Sequence, residues 1–282
     1  MVIVGLIIAL LPAVICAVVL AAIRAWRPGC ETCLRWAVPF AVAAGFVAAQ
    51  TMIDGVPRVP PIEASGWFSI VTMVLAVLAI AIRPRVSSTV WGLVCLLAAL
   101  AIVIVIVHPL VGEFWSWPEA IGWVIGMTAV AGSGAWLVDR RASPGPGAPA
   151  VLLIAATGVA VGLALCGSAR YGQLAGAIAS VMAPLILLGL IRRDTRLLDG
   201  AAWVAYLVLA MLVVAGVAYV DVPVFVGLLV AVAPLGMLAG DVPRLAPLAF
   251  WKRDSVRVVV TIAIVSLALA VAAAAATSSA PY

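Results

Sequence analysis

Residues Ala148 to Arg193 read APAVLLIAATGVAVGLALCGSARYGQLAGAIASVMAPLILLGLIRR, two apolar runs divided by the polar break Cys166-Gly167-Ser168-Ala169-Arg170-Tyr171-Gly172-Gln173. Each run has about 20 residues, and at ~1.5 Å per residue it matches a hydrocarbon core of roughly 30 Å. Backbone polar groups in that core must be satisfied within the segment, so both runs are read as membrane-crossing helices. Arg170, the one charge in the break, then belongs at a membrane face or in a protein-lined cavity.

The same pattern extends outward over the whole chain. Of its 282 residues 67% are apolar and only 10% charged, with a mean hydropathy of +1.31. A soluble domain carries about 25% charged residues. The expected fold class is therefore an all-α integral membrane protein, with the lipid bilayer as its first partner. A formal charge of +5 would in a soluble chain invite a nucleic-acid partner, but the basic residues fall in short loops between apolar runs. Topology accounts for them, and no nucleic acid is expected. The composition, rich in Ala and Val with Lys252 as the single lysine, suits a bacterial cytoplasmic (inner) membrane protein. The opening run Val2 to Ile23 lacks the basic region of a signal peptide and is read as a retained first helix.

Ten crossings follow, forming one transmembrane domain. Helix 1 covers about Val2 to Ile23 with Pro12 at its middle, and helix 2 about Ala37 to Ile53. Pro57, Pro60 and Pro61 exclude a helix from the next loop. Helix 3 spans Trp67 to Ile82, helix 4 Val90 to Val107, and helix 5 runs from Glu119 to Asp139. A Pro-, Gly- and Ser-rich linker, 142–149, divides helices 1–5 (about 2–138) from helices 6–10 (about 150–276). Helices 6 and 7 are the hairpin quoted above. Helix 8 covers Ala201 to Val220, helix 9 returns from Asp221-Val222-Pro223 to Gly240, and helix 10 spans Val258 to Ala276.

This count distributes charge without adjustable choices. Fourteen of the sixteen basic residues, from Arg24 and Arg27 through Arg83, Arg140 and Arg193 to Arg257, fall on one face; Arg58 and Arg170 fall on the other. By the positive-inside rule both termini lie outside the cytoplasm.

Several weaker patterns add expectations. Gly122-x-x-x-Gly126, Gly158-x-x-x-Gly162 and Gly172-x-x-x-Gly176 predict close packing on helices 5, 6 and 7, within the chain or in a homo- or hetero-oligomer. Pro12, Pro184 and Pro234 predict kinks in helices 1, 7 and 9. The match of Ala183-Pro184-Leu185 with Ala233-Pro234-Leu235 hints at internal duplication of helical hairpins, with five plus five helices about the linker as the competing division.

No helix centre holds an ionisable residue, which weighs against a proton- or ion-driven pump. Asp54, Arg58, Glu63, His108, Glu113, Glu119, Arg170 and Asp221 instead collect on the outer loops. The candidate substrate-binding set is Ser168, Arg170, Tyr171, Gln173, His108 and Asp221, a polar vestibule where Arg170 meets an anionic group or pairs with Asp221. The competing reading is ordinary solvated turns. No catalytic residue is assigned, because H-E-x-x-H, G-x-S-x-G, P-loop and G-x-G-x-x-G patterns are all lacking. No metal or cofactor is expected, since Cys30-x-x-Cys33 has no second pair to complete a zinc site.

The leading expectation is a small-molecule permease with a site near the outer mouth. The alternative is a scaffold or subunit of a larger membrane complex, and a lipid-modifying enzyme is third. A permease should show a polar cavity reaching mid-bilayer, whereas a scaffold should be packed throughout. The orientation has its own check. A cysteine replacing Tyr282 should react with a membrane-impermeant maleimide in intact cells; labelling only after lysis would invert the topology.

Overall fold

A computed structural model of the chain describes residues 2–26, 31–56, 58, 60–61, 63–142, 144–191, 198–241 and 250–278. Arg27, Cys30, Pro57, Arg193 and Tyr282, named above, lie outside the described residues, as do Arg192, Arg196 and Arg244 among the fourteen basic residues. The described residues form a bundle of ten α-helices: α1 (Val2–Trp26), α2 (Glu31–Asp54), α3 (Trp67–Ala81), α4 (Ser88–Val107), α5 (Trp117–Arg141), α6 (Gly147–Leu165), α7 (Ala169–Ile191), α8 (Ala201–Tyr219), α9 (Val224–Val232) and α10 (Phe250–Ser278). Among the described residues there is no strand. Among the described residues nine segments are long and apolar enough to cross a membrane, and α1 contributes a further apolar stretch, Leu10–Ile23.

Local chemistry sets the helix ends. The Val90 N–H donates to Ser87 Oγ at the start of α4 (3.4 Å). α5 opens with Pro118 and Glu119 and closes with Arg140 and Arg141, matching acid and base to the helix dipole. Glycine supplies left-handed backbone in the α6–α7 turn, Gly167 at φ 100°, and just before α8, Gly200 at φ 79°. Two helices begin earlier than expected. α2 starts at Glu31 rather than near Ala37, and α10 at Phe250 rather than Val258. Hydropathy marks where lipid ends, and these helices continue past it. Arg35, Lys252, Arg253 and Arg257 are therefore helical residues, not loop residues.

α8 is the axis of the bundle. Every residue from Ala201 to Gly216 is buried, and α2, α3, α4, α5, α6, α7 and α9 all pack on it. Its sequence carries no charge, so it can be enclosed at no ionic cost. Trp203 lies against Trp91 of α4 with ring centroids 4.8 Å apart, and the Tyr206 hydroxyl donates to the Ala231 carbonyl (3.0 Å).

Only part of the glycine expectation survives contact with the structure. A Cβ on Gly172 would come within 2.7 Å of the Ala160 carbonyl, and one on Gly158 within 2.6 Å of Val265, so α6 packs closely on α7 and α10. A Cβ on Gly122, Gly126 or Gly176 meets nothing within 4 Å. Close approach on α5 occurs instead at Gly132, against the Leu96 backbone of α4, and at Gly134, against Tyr206.

The prolines behave differently from one another. Pro12, Pro39 and Pro184 lie inside continuous α-helices, whereas at Pro234 the α-helix gives way to a 3-10 segment, Ala233–Asp241. Proline removes a donor from the ladder, and runs of 3-10 helix this long are uncommon.

Cys33 is disulfide-bonded, and Cys16, Cys95 and Cys166 are free.

The glycine contacts separate two substitutions that look alike in sequence. Gly132→Ala should lower unfolding stability in detergent by about 1–3 kcal/mol through overpacking against the Leu96 backbone. Gly126→Ala, facing open space, should leave it within about 0.5 kcal/mol. Reversible unfolding of the two variants side by side measures the difference.

Candidate functional site

One polar chamber of about 370 Å³ lies at the end of the bundle opposite the arginine-rich end, lined by Gln50, Asp54, Arg58, Glu63, Ser65 and Arg170 together with Gly55, Val56, Pro61 and Gly66. Its walls come from three places. The last turn of α2 presents Gln50 and Asp54, four residues apart and so on one helix face. The loop after it folds back so that Gly66 packs on Pro61, where a Cβ would stand 2.9 Å from Pro61 Cβ. The first turn of α7 supplies Arg170.

Arg170 organises the chamber. Its Nε donates to Asp54 Oδ1 (2.6 Å) and its Nη2 to Ser65 Oγ (3.0 Å), with Glu63 Oε2 at 3.9 Å. Ser65 Oγ in turn donates to Glu63 Oε2 (3.3 Å). The Arg170 side chain is 43% exposed and that of Asp54 13%, so the pair sits at the chamber wall, half in water.

Below the ion pair lies a fully partnered floor. Gln50, buried to 1% exposure, donates from Nε2 to the Ser65 carbonyl (2.6 Å), and its Oε1 accepts from Ser69 Oγ (2.6 Å). A buried amide left unmatched would cost about 1–3 kcal/mol, and here it is matched at both atoms. One turn deeper on α2, Phe46 is completely buried, and the chamber stops.

Of the six residues singled out from the sequence, Arg170 lines this chamber. Ser168 caps α7, its Oγ accepting from the Tyr171 N–H (3.3 Å). The Tyr171 ring is buried against Phe68 with centroids 6.1 Å apart, and Gln173 is exposed. His108 is exposed in a 3-10 turn after α4, and Asp221 is exposed in the α8–α9 turn with φ 54°. The Tyr219 hydroxyl, donating to the Ile106 carbonyl (2.7 Å), ties those two helix ends together away from the chamber. The carboxylate facing Arg170 is Asp54, not Asp221. Gln50, Ser65 and Ser69 escaped the sequence reading, although a lone amide inside the apolar helix 2 was a usable signal.

The opposite end is built for fastening. Asp139, with a side chain fully shielded from solvent, accepts at Oδ2 from Arg83 Nε (2.7 Å) and Trp91 Nε1 (3.0 Å), and at Oδ1 from the Gly200 N–H (3.0 Å). Asp199 stands 3.7 Å from Arg83 Nη2 and 3.9 Å from Arg35. A second series runs from Arg141 to Asp241 (2.9 Å), Asp241 to Arg257 (2.8 Å) and Arg257 to Asp254 (3.1 Å). Among the described residues no group of three or more His, Cys, Asp or Glu side chains could hold a metal ion.

No protein-family model matches the sequence, and no curated protein matches it.

The two ends should respond differently to mutation. Asp139→Ala strands a guanidinium, an indole N–H and a helix terminus, and should cost about 3–5 kcal/mol of unfolding stability. Arg170→Ala, at a water-exposed pair, should cost at most about 1 kcal/mol. Chemical denaturation in mixed micelles checks both.

Proposed function

We propose that the chain is a small-molecule permease that crosses the bacterial cytoplasmic membrane ten times with both termini outside, and that it admits its solute through the chamber at Arg170 and Asp54. The observation that carries this reading is the chamber itself: about 370 Å³, within the range of small-molecule sites, with a charged wall above a buried hydrogen-bonded floor. Two acids, Asp54 and Glu63, and two arginines, Arg58 and Arg170, line it. A solute carrying both charges could find a partner for each, so a zwitterion fits better than a simple anion.

Two further features support movement. The 3-10 segment after α9 is the kind of departure from α-helix that marks hinges. The chamber is closed beneath Phe46 while the arginine-rich end is held by ion pairs, as in a carrier open to one side only. The reading therefore requires that the packing below Gln50 open in a second conformation.

A scaffold is the second reading, and one observation favours it. The centre around α8 is packed and apolar, with no polar route through the middle of the bundle among the described residues.

Water access separates the two without a known substrate. Val42, fully buried on α2, lies two turns below Gln50, about 12 Å deeper at 1.5 Å per residue. In a cysteine-free background, Val42→Cys should react with a water-soluble thiol reagent, and Asp139→Asn, which loosens the opposite end, should change that rate several-fold. A thiol that stays unreactive in both backgrounds leaves the scaffold.

A further inference from the structure

A second cavity, larger than the chamber, is a lateral groove of about 440 Å³ between α5, α8 and α9. Its floor on α5 is Gly122 and Gly126, where an added Cβ would meet nothing within 4 Å. Val213 and Val217 of α8 and Leu228 of α9 complete the walls. Ile125 beside it on α5 is 65% exposed and Leu228 43%, so the groove opens on the lipid-facing side of the bundle.

Its length bears on the occupant. Along α5 it extends from Glu119 to Ala131, about 18 Å at 1.5 Å per residue. That is close to one leaflet of a hydrocarbon core roughly 30 Å thick, the span of a single acyl chain.

Its chemistry chooses the headgroup. Glu119 is the one ionisable lining residue; it is exposed, sits at the groove's mouth beside Trp123, and forms no salt bridge among the described residues. Tryptophan at that level is the residue of the headgroup zone. A lone carboxylate there repels an anionic headgroup and rewards one with N–H donors.

We infer that this groove is a binding site for a membrane phospholipid with a primary-amine headgroup, one acyl chain lying over Gly122 and Gly126 and the ammonium on Glu119. The inference does not rest on the permease reading. It applies equally to a scaffold.

The test uses the full-length protein in nanodiscs of equimolar phosphatidylethanolamine, phosphatidylcholine and phosphatidylglycerol, followed by native mass spectrometry of the lipids it retains. Phosphatidylethanolamine should be retained about tenfold over the other two. Glu119→Gln should bring the three to parity, and Gly126→Leu, whose side chain enters the groove without meeting protein at Cβ, should remove the retained lipid while the thermal transition stays in place. Equal retention of all three by the unmodified protein, an unchanged preference in Glu119→Gln, or lipid retained undiminished by a folded Gly126→Leu protein would each overturn the assignment. So would a dimer that Gly126→Leu dissociates, which would give the groove to a second copy of the chain.

Discussion

Arg83 from the 3-10 turn after α3, Trp91 from α4 and the Gly200 N–H just before α8 converge on the carboxylate of Asp139 in α5. Buried to 0% side-chain exposure, such a group has no water to fall back on, so its partners must be supplied by protein. Because three donors occupy its two oxygens, the relative positions of four helices are fixed at one point. The tilted Trp91 and Trp203 rings, centroids 4.8 Å apart, extend that point into the apolar interior, where packing on α8 continues it. Removing one donor would leave the others facing a poorly satisfied charge, which is why the group acts as a unit rather than as three separate bonds.

The bundle's polar contacts also bear on its connectivity. Arg170 with Asp54, Arg83 with Asp139 and Arg141 with Asp241 each join helix ends that strict up-and-down alternation puts on the same side. The charge distribution along the sequence and the contacts in the fold therefore agree on alternation, by arguments that share no assumption. The Cys33 disulfide weighs against the accompanying orientation. It lies at the arginine-rich end, which the positive-inside rule places in the cytoplasm, where thiols are kept reduced.

What the sequence makes legible depends on the range of the interaction. Apolar length identifies α3, α4, α6, α7 and α8 to within a few residues, because the solvent acts on each run separately. The starts of α2 and α10 are not legible, since helix and hydrocarbon need not end together and Arg35 or Lys252 can extend a helix into the headgroup zone. Arg170 was identifiable as the charge that interrupts two crossings, but Asp54 as its partner was not. The two are 116 residues apart, and nothing local relates them. Gly122 and Gly126 show the opposite failure: the spacing is right for a packed face, and the partner helix is not there. Whether a small residue marks contact or a groove is decided by its neighbours in space, which the spacing does not encode.

The two ends of the bundle differ in how firmly they are held. At the arginine-rich end, Asp139, Asp199, Asp241 and Asp254 each meet at least one arginine, and Asp139 and Asp254 do so with little exposure to water. At the other end, the ion pairing among the described residues is that of Arg170 with Asp54 and the more distant Glu63, partly in water, where such pairs contribute little. Both cavities described above open at this second end, the chamber among α2, the loop after it and α7, and the groove among α5, α8 and α9. Cavities forgo packing energy and ion pairs in water restrain little, so the end that could bind ligands is also the end that can move at least cost. The 3-10 segment Ala233–Asp241 runs directly into the clamped end, where Asp241 meets Arg141 and Arg257.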